Sequence, residues 1–181
     1  MKLILVGVRG SGKTTVGSMA AEEIGAGFID MDTEIEAVAG NKISDIFAGT
    51  GGESKFRSLE SLVLLRIADM NPPEKDLIIS TGGGIVIERR NRKILRRMGH
   101  VVWLQVSADQ AVSRTAGSDR PSLTGLYPLD EAKKMISSRW NLYESIADSV
   151  VVTDARTIQD VCNEIVTIWH ELNPAEFKSG R

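Results

Sequence analysis

Residues 7–15 read Gly7-Val8-Arg9-Gly10-Ser11-Gly12-Lys13-Thr14-Thr15, which fits the pattern G-x-x-x-x-G-K-[ST]. An apolar run, Lys2–Val6, leads into the motif, and a segment of helical spacing, Thr14–Ile24, leads out of it. Strand, tight loop and helix in that order make a phosphate cradle. Glycines let successive backbone N–H groups turn inward without a Cβ clash. The following helix aims its unpaired N–H groups and the positive end of its dipole at the same anion. Lys13 reaches the β- and γ-phosphates, and the Thr14 hydroxyl is placed to ligate Mg²⁺. Gly10, Ser11, Gly12, Lys13, Thr14 and Thr15 are therefore the candidate nucleotide-binding residues. An unliganded glycine-rich turn would need neither the lysine nor the flanking strand and helix. The motif establishes a nucleotide site and leaves the acceptor open.

The rest of the chain repeats the alternation. Gly27–Asp30, Asp76–Ser80, Val101–Val106 and Ser149–Thr153 read as further strands, with helical spacing over Phe56–Met70, Glu88–Met98 and Ile158–Leu172. Continuous apolar strands separated by helices predict an α/β fold: three α/β/α layers around a five-stranded parallel sheet covered on both faces. At 181 residues the chain suits one domain. Gly40–Glu53 is loop-rich with a short helix expected from Ser44, and Gly117–Pro128 is a second long connection. Connections of that length in a compact domain commonly carry function.

Charge and composition exclude several classes. The formal net charge is −2, so no basic excess points to nucleic acid. Arg89, Arg90, Arg92, Lys93, Arg96 and Arg97 form one basic run, read as a solvated helix face because Ile94, Leu95 and Met98 supply its buried side. No apolar run approaches the ~18 residues of a membrane-spanning helix, and a cytoplasmic location is expected. The single cysteine, Cys162, lies among Val161, Ile165 and Ile168 and reads as a small core residue.

Among proteins with this loop, a GTPase would need an Asn-Lys-x-Asp element late in the chain. The one Asn-Lys pair, Asn41-Lys42, comes early and is followed by Ile43-Ser44. The strand Leu77–Ser80 runs into Thr81-Gly82-Gly83-Gly84 rather than an acidic residue, which favours a small kinase over a mechanical ATPase. The triple glycine sits at the carboxyl end of a parallel strand, where ligands meet such sheets, and is expected to bring backbone N–H groups close to one. Asp30 and Asp32 flank Met31. In extended backbone both would face the crevice, one toward a metal-bound water and the other toward an attacking hydroxyl. The alternative for Asp32 is a helix cap before Thr33-Glu34-Ile35.

Taken in order, Gly7–Thr15, Asp30-Met31-Asp32, Gly52-Glu53-Ser54-Lys55-Phe56-Arg57 with Glu60, Gly82-Gly83-Gly84, Arg120-Pro121, and Arg139 with Tyr143 resemble the shikimate kinases, over roughly residues 1–170. The resemblance implies a fold like that of nucleoside monophosphate kinases, with a substrate-binding segment at about 31–60 and a lid at about 112–126. It implies ATP and Mg²⁺ as cofactor and metal, with Thr14 on the ion and Asp30 in its outer shell. It places Asp32 on the shikimate hydroxyls as orienter and base, Arg57 and Arg139 on the carboxylate, and the Gly82–Gly84 backbone on the ring substituents. Lys13, Asp32 and Arg120 become the catalytic set, Arg120 closing onto ATP from the lid. Arg114 and Arg156 are expected to flank adenine. Ser122 and Asn141 depart from the leucine and proline common in the family. The acceptor implied is shikimate, phosphorylated on its 3-hydroxyl on the way to chorismate and the aromatic amino acids. A monomer is expected, with no nucleic-acid or membrane partner. Two alternatives stand beside it: a gluconate-type small-molecule kinase of the same fold, and a nucleotide-binding protein without turnover.

Overall fold

The computed structural model describes residues 1–69, 76–116 and 126–174. Five strands run through it: β1 (Lys2–Val6), β2 (Gly27–Asp30), β3 (Leu77–Ser80), β4 (His100–Gln105) and β5 (Ser149–Val152). Among the described residues there are eight helices: α1 (Lys13–Ile24), α2 (Met31–Ala39), α3 (Ile43–Ala48), α4 (Gly52–Asp69), α5 (Arg89–Met98), α6 (Ala108–Thr115), α7 (Pro128–Glu144) and α8 (Ile158–Leu172). The strands form one all-parallel sheet in the order β2-β3-β1-β4-β5. The expected three-layer α/β/α architecture is present. Residues 117–125, which include Arg120 and most of the expected lid, lie outside the described residues.

Alternate residues of the central strands β1, β3 and β4 feed two separate cores, as a period of two requires, while edge strand β5 buries Val151 alone. Leu3 and Leu5 of β1 join Ile78, Val102, Leu104 and Val151 beneath α1 and α8. Ile4 and Val6 join Ile79, Val101 and Trp103 on the other face, against α2 to α5 and α7. Cys162 is fully buried in the first of these cores, as its apolar neighbours implied. The basic run lies on α5, where Leu95 is buried and Arg89, Arg90, Lys93, Arg96 and Arg97 are exposed. No described helix is long and apolar enough to cross a membrane.

Two local readings need correction. The short helix expected from Ser44 is present as α3, but α4 begins at Gly52, four residues before the Phe56 that its spacing implied. And β2 passes into α2 without an intervening turn. Asp30, not Asp32, is the N-cap: its Oδ1 accepts from the backbone N–H of Asp32 at 2.9 Å and of Thr33 at 3.3 Å. Asp32 stands inside the helix, so its direction follows helical geometry and not the alternation of a strand.

The order of the strands opens a crevice. β1 and β3 are neighbours, but α1 packs on one face of the sheet and α5 on the other. Their carboxyl-end loops therefore diverge at the switch point where ligands bind such sheets. Where α5 returns to the sheet, a Cβ on Gly99 would lie 2.1 Å from the Lys2 carbonyl oxygen, a backbone atom of β1 that cannot swing away. Gly99→Ala is expected to cost about 1–3 kcal/mol and to lower the midpoint of thermal unfolding measured by circular dichroism.

Candidate active site

The loop between β1 and α1 has the geometry its glycines predicted. Gly10 and Gly12 take φ of 81° and 92°, values that side-chain-bearing residues rarely adopt. Gly12 is the N-cap of α1 and offers no side-chain hydrogen bond to it, so the first-turn N–H groups are left for a ligand. Lys13 folds back across the loop and donates to the Val8 carbonyl at 2.9 Å and the Ser11 hydroxyl at 3.3 Å. Thr14 donates to Asp30 Oδ2 at 2.7 Å and lies 3.3 Å from the Ser80 hydroxyl. With its proton given to Asp30, the Thr14 oxygen keeps its lone pairs for a cation. The Thr14–Asp30 pair thus fits a magnesium site, with Ser80 a neighbour that the sequence did not single out.

The loop forms the floor of an open cleft of about 550 Å³. Arg114 and Arg156 border it, as do Thr153, Thr157, Ile158 and Val161. Both arginines are already held. Arg114 donates to the Thr153 hydroxyl at 2.9 Å and its carbonyl at 2.7 Å, while Arg156 pairs with Glu164 and donates to the Asp160 carbonyl at 2.9 Å. Ile158 is exposed at the first position of α8. An apolar side chain left bare on the lip of a polar cleft is the signal that could have marked it for a planar base.

A second, smaller pocket of about 90 Å³ opens beside the cleft. Its charged lining is Arg9, Arg57, Arg139, Glu60 and Asp32, and Ile43, Phe47 and Phe56 give it an apolar wall. Arg57 projects from α4, with its side chain 13 % exposed, and donates to Glu60 at 2.8 Å and to Glu53 at 3.1 Å. Three of its five N–H groups remain, among them Nε–H, which is buried with no partner among the described residues. Glu60 Oε1 is likewise buried and without a partner there. Burial raises the Glu60 pKa above its ordinary 4.5, against the opposing pull of Arg57, and nearby Asp32 adds to the rise. Burial alone would lower the Arg57 pKa, but Glu60 and Glu53 outweigh it and leave the guanidinium firmly charged.

Arg139 and Tyr143 stand one turn apart on the buried face of α7, and both donate to the Gly83 carbonyl, at 3.1 Å and 2.5 Å. Trp103 of β4 stacks on the Tyr143 ring with centroids 5.5 Å apart. Burial pushes the Tyr143 pKa far up, so the phenol stays a donor.

The triple glycine lines this pocket, as expected of a strand end that faces a ligand, and it also makes room for side chains. A Cβ on Gly84 would sit 2.0 Å from Arg57 Nη1, and one on Gly82 would sit 2.6 Å from Glu60 Oε1. The structure therefore brings together Asp30, Asp32, Arg57, Gly82, Gly83, Gly84 and Arg139 around the phosphate loop, with Arg114 and Arg156 at the far end of the cleft. Arg120 lies outside the described residues.

Comparison with known proteins agrees with this geometry. Residues 9–169 match the family model described as shikimate kinase. A shikimate kinase of Symbiobacterium thermophilum is 40% identical over 169 residues, covering 92% of this chain and 94% of the relative. One of Chromohalobacter salexigens is 39% identical over 179 residues, covering 98% and 97%. The solved shikimate kinase of Acinetobacter baumannii, in complex with shikimate, superposes with a TM-score of 0.86 at 33% identity, covering 94% of this chain and 93% of that one. A gluconokinase of Sinorhizobium meliloti reaches a TM-score of 0.60 at 16% identity, a likeness of fold alone. With a family match over most of its length and relatives near two-fifths identity across nearly all of it, the chain belongs to the shikimate kinase family.

Proposed function

We propose that this shikimate kinase performs its reaction, transfer of the γ-phosphoryl group of ATP to the 3-hydroxyl of shikimate, across the junction between the 550 Å³ cleft and the 90 Å³ pocket. The observation that carries the reading is the pocket itself. It sets Arg57, Arg139 and an apolar wall directly against the phosphate loop, close to Arg9, which suits a small hydroxylated acid better than a second nucleotide. That also weighs against a binding protein without turnover.

ATP would lie with its phosphates over Gly10–Thr15 and its base between the arginine-bearing elements at Arg114 and Arg156. Thr14 would hold Mg²⁺, with Asp30 behind it; the ion supplies charge neutralisation on the phosphates. Lys13 would leave its bonds to Val8 and Ser11 for the β- and γ-phosphates. Arg57 and Arg139 would fork onto the shikimate carboxylate, while the ring packs on Phe47 and Phe56. Asp32 borders both chambers and would hold the 3-hydroxyl in line and take its proton. Arg120 would close the site from a lid over about 112–126, and the substrate segment would span about 31–60. The chain is read as a single domain acting as a monomer in the cytoplasm, which supplies its ATP.

ADP release from Mg·ATP is expected to require shikimate and to yield 3-phosphoshikimate by mass spectrometry. Equal release with gluconate, or none with shikimate, would overturn the assignment. The crowded glycine offers a sharper check. Gly84→Ala drives its Cβ into the Arg57 guanidinium, which is flexible enough to move and keep the fold but then leaves its post. The KM for shikimate should rise at least about tenfold, with the KM for ATP nearly unchanged, as loss of acceptor binding alone requires.

Glu60 gives a pH dependence of definite sign. Its pKa in the fold is raised, so on acidification it takes up a proton before an exposed glutamate would, and its grip on Arg57 loosens. The shikimate KM should climb as the pH falls from neutrality toward the ordinary glutamate range. Glu60→Gln should show a higher KM at neutral pH and a flat profile across that interval; a slope like the parent's would remove Glu60 from the acceptor clamp.

A further inference from the structure

Three residues border both the nucleotide cleft and the acceptor pocket: Arg9, Asp32 and Gly83. The seam they mark is where a phosphoryl group must cross from one chamber to the other. Of the other cations, Lys13 borders the cleft alone, and Arg57 and Arg139 the pocket alone. Gly83 brings only backbone to the seam and Asp32 brings a negative charge, so Arg9 is the cation of the three. It occupies an x position of the loop motif, where the cradle itself makes no demand on the side chain.

The backbone fixes where this side chain starts. A Cβ on Gly83 would come within 3.4 Å of the Arg9 nitrogen and the Val8 Cα, so the loop is packed against the triple glycine at this residue. Arg9 is only partly buried, which leaves its long stem room to settle around a ligand. The electrostatics call for a cation there. Transfer drives a polyanionic phosphoryl group toward a seam that already holds the Asp32 carboxylate. A guanidinium at the same place offsets that repulsion and matches the equatorial phosphoryl oxygens with paired N–H donors.

We propose that Arg9 is a further catalytic residue of this enzyme, its guanidinium contacting the phosphoryl group in transit and stabilising the charge that develops on it. The proposal rests on the shikimate kinase reading above. In the step, the bond from the shikimate 3-oxygen to phosphorus forms as the bond from phosphorus to the β,γ-bridging oxygen breaks. That electron pair stays on ADP, and the hydroxyl proton passes to Asp32 and on to solvent. Arg9 forms no covalent bond and keeps its protons. A group acting only in transfer affects turnover and leaves ground-state binding of either substrate alone.

Arg9→Met and Arg9→Lys test it, by steady-state kinetics and by calorimetric titration. The titrations measure affinity for ADP alone, and for ADP with aluminium fluoride and shikimate as a mimic of the transferring group. Arg9→Met should lower kcat by about 10²-fold, the loss typical of one transition-state donor, and weaken the fluoroaluminate complex to a similar degree. Both KM values and the ADP affinity should stay within about threefold, and Arg9→Lys should recover part of the loss. A raised shikimate KM with kcat retained would make Arg9 an acceptor-binding residue. Weakened ADP binding would make it a support of the loop, and unchanged kcat a bystander; each overturns the proposal. A parent chain that fails to phosphorylate shikimate would overturn the family activity and this proposal together. An active parent with undisturbed variants would overturn the Arg9 role alone.

Discussion

Everything at this site hangs on the divergence of two loops. Parallel strands deliver all their carboxyl ends to one edge of a sheet, and adjacent strands whose helices leave on opposite faces cannot close the gap between their loops. Here β1 and β3 are those strands. Thr81 pins them together at the top, its hydroxyl and its N–H both donating to the Leu5 carbonyl. Just beyond that tie the chains part, one into the phosphate loop and the other into the triple glycine. β2, on the far side of β3, adds Asp30 and Asp32 to the same edge. The candidate site residues converge because the sheet order leaves them one place to go.

Charge is what that place has to accommodate. Arg57 and Glu60 meet at 2.8 Å with side chains 13 % and 1 % exposed. Breaking such a buried pair typically costs about 3–5 kcal/mol, mainly by stranding the remaining ion. The pair is better viewed as a fixed support than as a source of stability. Gly82 and Gly84 keep the space that the two side chains occupy, and Tyr143 and Arg139 anchor the Gly83 carbonyl between them. A pocket results whose donors are set before any ligand arrives, so little ordering remains to be done on binding.

Much of this was legible in the residues. β1, β2 and α8 have the bounds their patterns implied, β3 and β5 differ by a residue at one end and β4 by one at each, because short apolar runs bounded by polar or turn residues leave little freedom. The Arg57–Glu60 contact followed from helical spacing. The entry into α2 did not follow. A strand that becomes a helix without a turn residue shows no break in its pattern, so Asp30 and Asp32 read as one extended pair, with a cap weighed only for Asp32, when the backbone makes Asp30 the cap and puts Asp32 inside the helix. The triple glycine was placed at the right strand end, beside the pocket, but its second task of leaving space for Arg57 and Glu60 was not legible, since those side chains come from α4 and no local pattern carries that fact. Ser80, Ile158 and Arg9 were passed over because each is an ordinary residue in its own segment.

The sequence by itself determined the phosphate loop, the alternation of strands and helices, and the kinds of charged group available, since these depend on neighbours within a turn or two. Only the tertiary structure decided which groups share a chamber. Arg139 and Tyr143 reach Gly83 across 56 and 60 residues, and Arg9, Asp32 and Gly83 meet at one seam from the phosphate loop, the first turn of α2 and the loop after β3. Those meetings depend on the order in which strands lie side by side. A hydrophobic period of 2 or 3.6 says which face of an element is buried, and it is silent about which element lies next to it.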